Sequence, residues 1–417
     1  MSAETKKEVR ESWKTPAVMG VLSATVLVFF GILGKPEAVS FELTGVREVV
    51  QLPNIEVGSG LLGTFAGIAL VVITALVAWQ VSQNKRASIW FSMLFGAIAL
   101  VALLGWLAAG NVVPVAFILG SALVLAVPIM LGAMGGIMSE RVGVVNIAIE
   151  GQLLTGAFMA AVISTITGNQ LLGIVSAMIT AALFSAVLAV FAVRFLAQQI
   201  IVGVVLNVLA IGITNFLYQQ WVTEDESATN SPGTLPIISI PVLGDIPIIG
   251  PVLFQNRITV FLAIGIVIVL WFILFKTKLG LRARAVGENP LAADTVGINV
   301  GRTRFWWVTL GGLLAGLGGA ALTIGSSGSF GREMSGGLGF IALAVVILGR
   351  WHPGYATAAA LLFGFSIILR IWAGQVSPGI PTNFITMVPY LVTLIAVVGF
   401  VGRSRPPAAD GIPYVKG

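Results

Sequence analysis

The stretch "ITVFLAIGIVIVLWFILF", Ile258–Phe275, runs eighteen residues without a charge. As a helix it would cover about 27 Å, close to the ~30 Å hydrocarbon thickness of a bilayer. Backbone groups at that depth find no water, so a spanning segment of this kind must be helical. Working outward, comparable runs lie at roughly 17–33, 62–81, 88–109, 112–138, 144–166, 171–193, 199–220, 305–325, 337–349, 354–372 and 384–402. The expected fold class is all-α, a polytopic transmembrane helical bundle of about 10–12 spans. Two stretches fit poorly. The run 337–349 is short, and 131–160 is rich in glycine and carries Glu140, Arg141 and Glu150. Both are expected to be broken or re-entrant helices, which are tolerated where backbone faces protein or a cavity.

Composition agrees. Of 417 residues 57% are hydrophobic and 10% charged, against about a quarter charged in an ordinary globular domain; mean hydropathy is +1.01. The absence of cysteine excludes disulfides, thiolate metal sites and a cysteine nucleophile. Net charge +6 reflects topology rather than nucleic-acid binding, because the basic residues sit in short loops. With the N-terminus in the cytoplasm, Lys6, Lys7, Arg10, Lys14, Lys85, Arg86, Arg141, Arg194, Lys276, Lys278, Arg282, Arg284, Arg302, Arg304, Arg350, Arg403, Arg405 and Lys416 all fall inside. That is 18 of the 23 basic residues. The long outside loops, about 34–61 and 221–257, carry Glu37, Glu42, Glu48, Glu56, Glu224, Asp225, Glu226 and Asp245. Both termini are therefore read as cytoplasmic. No A-x-A pattern follows Leu33, so the first span is read as uncleaved.

The segment after the opening run is unlike it. "LRARAVGENPLAADTVGINVGRTR", Leu281–Arg304, is polar and basic. Asn289 suits a helix N-cap, Pro290 the first helical position, and Gly297 a left-handed stop. Between them "LAADTV" makes about two turns, too short to be stable alone in water. Something must pack on it, either a partner or the chain's own bundle.

Two further features combine polarity with membrane depth. "NIAIEGQ" places Asn146, Glu150, Gly151 and Gln152 within or beside the bilayer. Such a carboxylate faces a cavity or a partner, so Glu150 is either a solute ligand in the path or a brace between helices, with Arg141 the candidate partner. Asn207, Asn215 and Tyr218 in "VVLNVLAIGITNFLYQQW" carry the same two readings. "GSSGSFGREMSGGLGF", Gly325–Phe340, interrupts the helical pattern at the outside face, as a gate, a receiving surface or a plain loop. In "GGLLAGLGGA", Gly312, Gly316 and Ala320 recur every four residues, the spacing of close helix packing. Trp79, Trp90, Trp221, Trp306, Trp307, Trp351 and Trp372 lie near span ends, where interfacial anchoring is expected. His352 in "RWHPG" reads as a turn residue.

"GLRARAVGENPLAADTVGINVGRTR" resembles the cytoplasmic coupling loop of ABC importer permeases of the sugar, nucleoside and branched-chain amino acid branch. "ERVGVVNIAIEGQLLTGAFMAA", Glu140–Ala161, and "GFIALAVVILGRWHPGYATAAALLFG", Gly339–Gly364, resemble its other hallmarks, in the same order over about 112–402. "DIPIIGPVLF", Asp245–Phe254, with "RAVGENPLAADT" is most similar to the nucleoside (guanosine-type) permeases that pair with a second, different permease. The resemblance implies an alternating-access permease subunit of a bacterial inner-membrane importer for a nucleoside or related solute, with a simple sugar as the alternative. It implies three protein partners: a cytoplasmic ABC ATPase, a second permease and an extracytoplasmic solute-binding protein. Its ATPase-coupling residues would be Arg282, Arg284, Gly287, Glu288, Asn289, Pro290, Ala292, Ala293 and Gly297. The path would draw on Asn146, Glu150, Gly151, Gln152, Asn207 and Asn215. The chain has no G-x-x-x-x-G-K-[ST] phosphate cradle, so ATP and Mg are expected on the partner, with no cofactor and no catalytic residue here. An ion-coupled secondary transporter is less favoured, since Glu150 is nearly alone at the midplane. The expected organisation is an N-terminal extension with about three spans (1–110), a permease domain (111–405, coupling loop 277–304) and a cytoplasmic tail (406–417).

Overall fold

A computed structural model describes residues 13–45, 48, 50–85, 88–376 and 405–416. Among the described residues ten helices are long and apolar enough to cross a membrane. The sequence run 384–402 lies outside the described residues. The chain divides into two compact units, one of residues 1–117 with 370–386 and one of 118–369 with 387–417.

The first unit holds α1 (Lys14–Thr25, continued to Ile32 by a wider π turn), α2 (Ser59–Ser82) and α3 (Ile89–Leu107). Met19, Val26, Leu70, Ile73, Val77 and Phe95 form their shared core. Between α1 and α2, β1 (Ala38–Glu42) pairs antiparallel with β2 (Ile55–Gly58) and parallel with β3 (Val112–Pro114), which satisfies backbone that leaves the helices.

The second unit begins within α4 (Val115–Glu140), which carries Pro128 inside it yet stays helical to its end. Residues 141–148 are irregular and largely buried. Then follow α5 (Ile149–Thr167), α6 (Gln170–Val193) and α7 (Gln199–Leu217, prolonged to Val222). A connection containing α8 (Glu226–Thr229) and the pair β4 (Ile237–Ser239) and β5 (Gln255–Arg257) leads to α9 (Ile258–Lys276). The basic segment folds as α10 (Lys278–Glu288) and α11 (Pro290–Thr295), followed by α12 (Val300–Leu322, with a π turn to Ser327), α13 (Leu338–Leu348) and α14 (Pro353–Val376).

Helices α5, α6 and α12 pack most closely on one another. The small-residue stripe of α12 explains why: a Cβ on Gly316 would lie 2.3 Å from the Ala177 carbonyl oxygen, and one on Gly312 2.4 Å from Ser185 Cβ. By contrast Leu171, Val175, Ile179, Leu183 and Val187 make an exposed apolar stripe along α6, suited to lipid or another subunit.

Helix α13 spans only about 16 Å, roughly half a bilayer. Of the two stretches expected to be broken helices, 131–160 breaks at residues 141–148 after a whole α4, and 337–349 is the short α13, preceded by the irregular segment 328–337.

Candidate functional site

The two breaks meet at Glu150. Its Oε2 accepts the Gly339 N–H at 2.6 Å, and its Oε1 accepts the Gly337 N–H at 2.8 Å and the Ser335 hydroxyl at 2.7 Å. The first N–H groups of α13 have no helical partner, and a carboxylate also favours the positive end of the helix dipole. Glu150 itself stands in the first turn of α5, so one buried charge serves two helix starts. The approach is close enough to demand glycine: a Cβ on Gly339 would lie 2.3 Å from the Glu150 nitrogen.

The other polar residues satisfy the irregular backbone before α5. Asn207 on α7 accepts from the Gly151 N–H at 2.8 Å and donates to the Ile147 carbonyl at 2.9 Å. Gln199 accepts from the Val145 N–H at 2.8 Å. Asn146 and Gln152 exchange amide hydrogen bonds at 3.2 and 3.3 Å, both fully buried. The far end of α13 is held by the same segment. Arg141 donates through Nε and Nη2 to the Trp351 carbonyl at 3.0 and 2.7 Å, and Trp351 Nε1 donates to Glu140. Residues 140–150 thus clamp the half-helix at both ends. Arg141 is not the partner of Glu150, and Trp351 is buried in this bond rather than anchored at an interface.

Segment 328–337 bends through four left-handed positions, at Gly328, Glu333, Gly336 and Gly337. This segment joins the end of α12 to the start of α13, and its Ser335 and Gly337 bond to Glu150. Arg332 and Glu333 on it are exposed. The Arg332 guanidinium stands 5.0 Å over the Tyr218 ring, and Asn215 Nδ2 donates to Glu333 Oε1 at 3.3 Å. The Asn215 Oδ1 is buried without a partner among the described residues. Phe330 is fixed by reciprocal bonds to Asn230 and meets Phe158 edge to face at 5.1 Å.

The basic loop lies against the 141–145 turn. Asn289 caps α11 by accepting the Ala292 N–H at 3.0 Å, Pro290 opens it and Gly297 leaves it at φ +84°. Gly287 rests on the turn so tightly that a Cβ would lie 2.3 Å from the Arg141 carbonyl oxygen. Gly287 and Ala293 are buried in the chain's own core, with Val142, Val286 and Val300. They form the seat of α11 on the chain's own core and are turned away from solvent. Leu291, Ala292, Val296 and Gly297 point outward, as do Arg282, Glu288 and Asn289, while Pro290 is half-buried. Arg284 turns inward, 5.2 Å over the Phe275 ring that also carries Arg141 at 5.8 Å. Burial, and secondarily Arg284, lower the Arg141 pKa from its usual value. His352 stacks 5.0 Å from Phe275; burial, then Arg141, lower its pKa too.

Helix α10, Trp351 and Ser335 were not legible as site residues. The unpaired Glu140–Arg141 doublet at a span end was the one signal pointing to Trp351.

A family model described as the permease component of the branched-chain amino acid transport system matches residues 118–397. The chain belongs to this permease family. Similar proteins include the guanosine ABC transporter permease protein NupQ of Bacillus subtilis (strain 168), 42% identical over 72% of this chain and 97% of that one. The nucleoside ABC transporter permease protein NupC of Lactococcus lactis subsp. cremoris (strain MG1363) is 39% identical over 72% and 96%. The putative glucose ABC transporter permease protein TsgC13 of Haloferax volcanii is 36% identical over 62% and 78%. The first two organisms each contribute a second, more distant match, at 27% and 26% identity. No solved structure matches the chain. The permease is thus a multi-pass membrane protein, and its first three candidate spans precede the matched residues.

Proposed function

We propose that this permease imports a nucleoside, in a complex whose energy comes from a separate cytoplasmic ATPase. The carrying observation is α11: a two-turn helix with its inner face locked onto the 141–145 turn and its outer face, Leu291, Ala292 and Val296, open to a partner. Docking there would place the motor one contact away from the segment that clamps α13. The basic end is then cytoplasmic, as its lysine and arginine content favours, and the membrane is a bacterial inner membrane. ATP and Mg belong to the partner. A solute-binding protein delivers cargo at the opposite end, and a second, related permease completes the path, a reading supported by the paired matches in two organisms.

For the path itself, the geometry favours a division of labour. Asn146, Glu150, Gly151, Gln152 and Asn207 spend their hydrogen bonds on backbone or on each other, as a brace does. Asn215, with an unspent acceptor, lies beside exposed Arg332 and Glu333. A buried acceptor without a partner among the described residues, next to exposed charges, is available to a polar ligand, so this patch is the better candidate for solute.

The test is to purify the protein from its native membrane, identify what accompanies it, and measure uptake of labelled guanosine, free bases and glucose. ATP-dependent nucleoside uptake with an associated ATPase is expected. Glucose uptake alone would favour the sugar reading that TsgC13 suggests, and uptake driven by an ion gradient without ATP would overturn the proposal.

A further inference from the structure

We propose that residues 405–416 are a strap belonging to the coupling element, joining the α10–α11 loop to the α4–α5 turn. This rests on the reading that an ATPase docks on α11. The segment has no regular helix or strand, so its shape is dictated by what it binds. On one side it binds the coupling loop: the Ala409 N–H donates to the Gly287 carbonyl at 2.8 Å and the Ala408 N–H to Glu288 Oε2 at 3.3 Å. On the other it meets the turn. A Cβ on Gly143, at φ +82°, would lie 2.8 Å from the Ala409 carbonyl oxygen, and one on Gly411 3.4 Å from Val145. Ala409 is 4% exposed among mostly exposed neighbours, and Tyr414 packs on the core that holds Ala293.

Arg304 makes the attachment specific. It is 2% exposed, and its Nη1 donates to the Ile412 carbonyl at 2.9 Å. A buried guanidinium is costly without acceptors, and the same segment supplies the Ile412 carbonyl, while Asp410, when ionised, adds an attraction that the burial of its own carboxyl outweighs. Detaching the strap would take the Ile412 acceptor from Arg304 in the first turns of α12. The strap therefore makes loop, turn and α12 start move as one body. A push on α11 reaches the α13 clamp without being absorbed by slack between them.

The test compares the complete complex in liposomes with one lacking residues 406–417 and one carrying Ala409→Leu, which keeps the strap but lifts it from its seat. The readout is ATP hydrolysed per solute imported. Coupling changes of this sort run to about tenfold, and a rise of about that size is expected for the truncation, with a smaller rise for Ala409→Leu and with ATPase association retained. An unchanged ratio with reduced thermal stability would make the segment a passive cover. Faster uptake after truncation would make it inhibitory, and failure of both variants to accumulate would make it a folding element; each overturns the strap. Absence of any ATPase from the unmodified complex would instead overturn the importer reading.

Discussion

Glu150 shows how much one side chain can be asked to hold. Its carboxylate accepts three hydrogen bonds from the α13 start, and bonds to a charged group are worth about 1.5–3 kcal/mol each. Glu150→Gln replaces one acceptor with a donor facing N–H groups. We expect lower accumulation and a lower unfolding temperature, with a smaller loss, about 1 kcal/mol, for Ser335→Ala. Normal stability with altered solute affinity would return Glu150 to the path. Asp410 gives a pH prediction. Burial pushes its carboxyl up to about 7, against the Gly411 N–H and Arg304, which pull it down. Unfolded, it titrates near ~4, so the docked strap holds the proton more tightly. Its contribution to docking is full below the unfolded value and is lost as pH rises through the folded one. A fluorescent probe on Lys416→Cys, feasible in a chain with no other cysteine, should report a looser segment at pH 8 than at pH 6. Asp410→Asn should shrink that difference, leaving the part that belongs to the neighbouring Glu140 carboxyl.

At the scale of elements, the proposed docking reading gives the two faces of α11 separable roles. Leu291 is 63% and Val296 75% exposed, so Leu291→Asp should abolish ATPase co-purification while the permease still inserts. Loss of one such anchor is worth about 2 kcal/mol or more. Ala293→Arg acts differently, forcing a charge into the core beside Val142 and Val286, so α11 should unseat and protease sensitivity of residues 281–299 should rise. Equal protection in both variants would show that the faces are not distinct. The cap at Asn289, the start at Pro290 and the stop at Gly297 were legible because each rests on local backbone chemistry. Helix α10 was not, since its apolar positions are few and its stability comes from seating Ala283 and Val286 in a tertiary core.

On the scale of the whole molecule, the spans could be read because bilayer thickness fixes their length. The half-length of α13 was visible as a short run, but its meaning depended on a carboxylate nearly two hundred residues away. No local pattern announces such a contact. On the proposed reading, the apolar stripe on α6 and the exposed charges near Asn215 are surfaces that a second permease would cover. Reconstituted alone it should not transport nucleosides, and native purification should yield a second permease of different sequence; uptake by this chain and an ATPase alone would contradict that. The asymmetry around Glu150 also bears on direction. Toward the basic end this sector is closed by a helix fastened at both ends, and toward the other end by turns. Turns rearrange without breaking a helical ladder, so they part at lower cost than a fastened helix. The fastened side is stiff and yields only to mechanical work. If solute passes here, the soft gate answers to cargo and the stiff gate to the motor, which makes the permease a one-way valve.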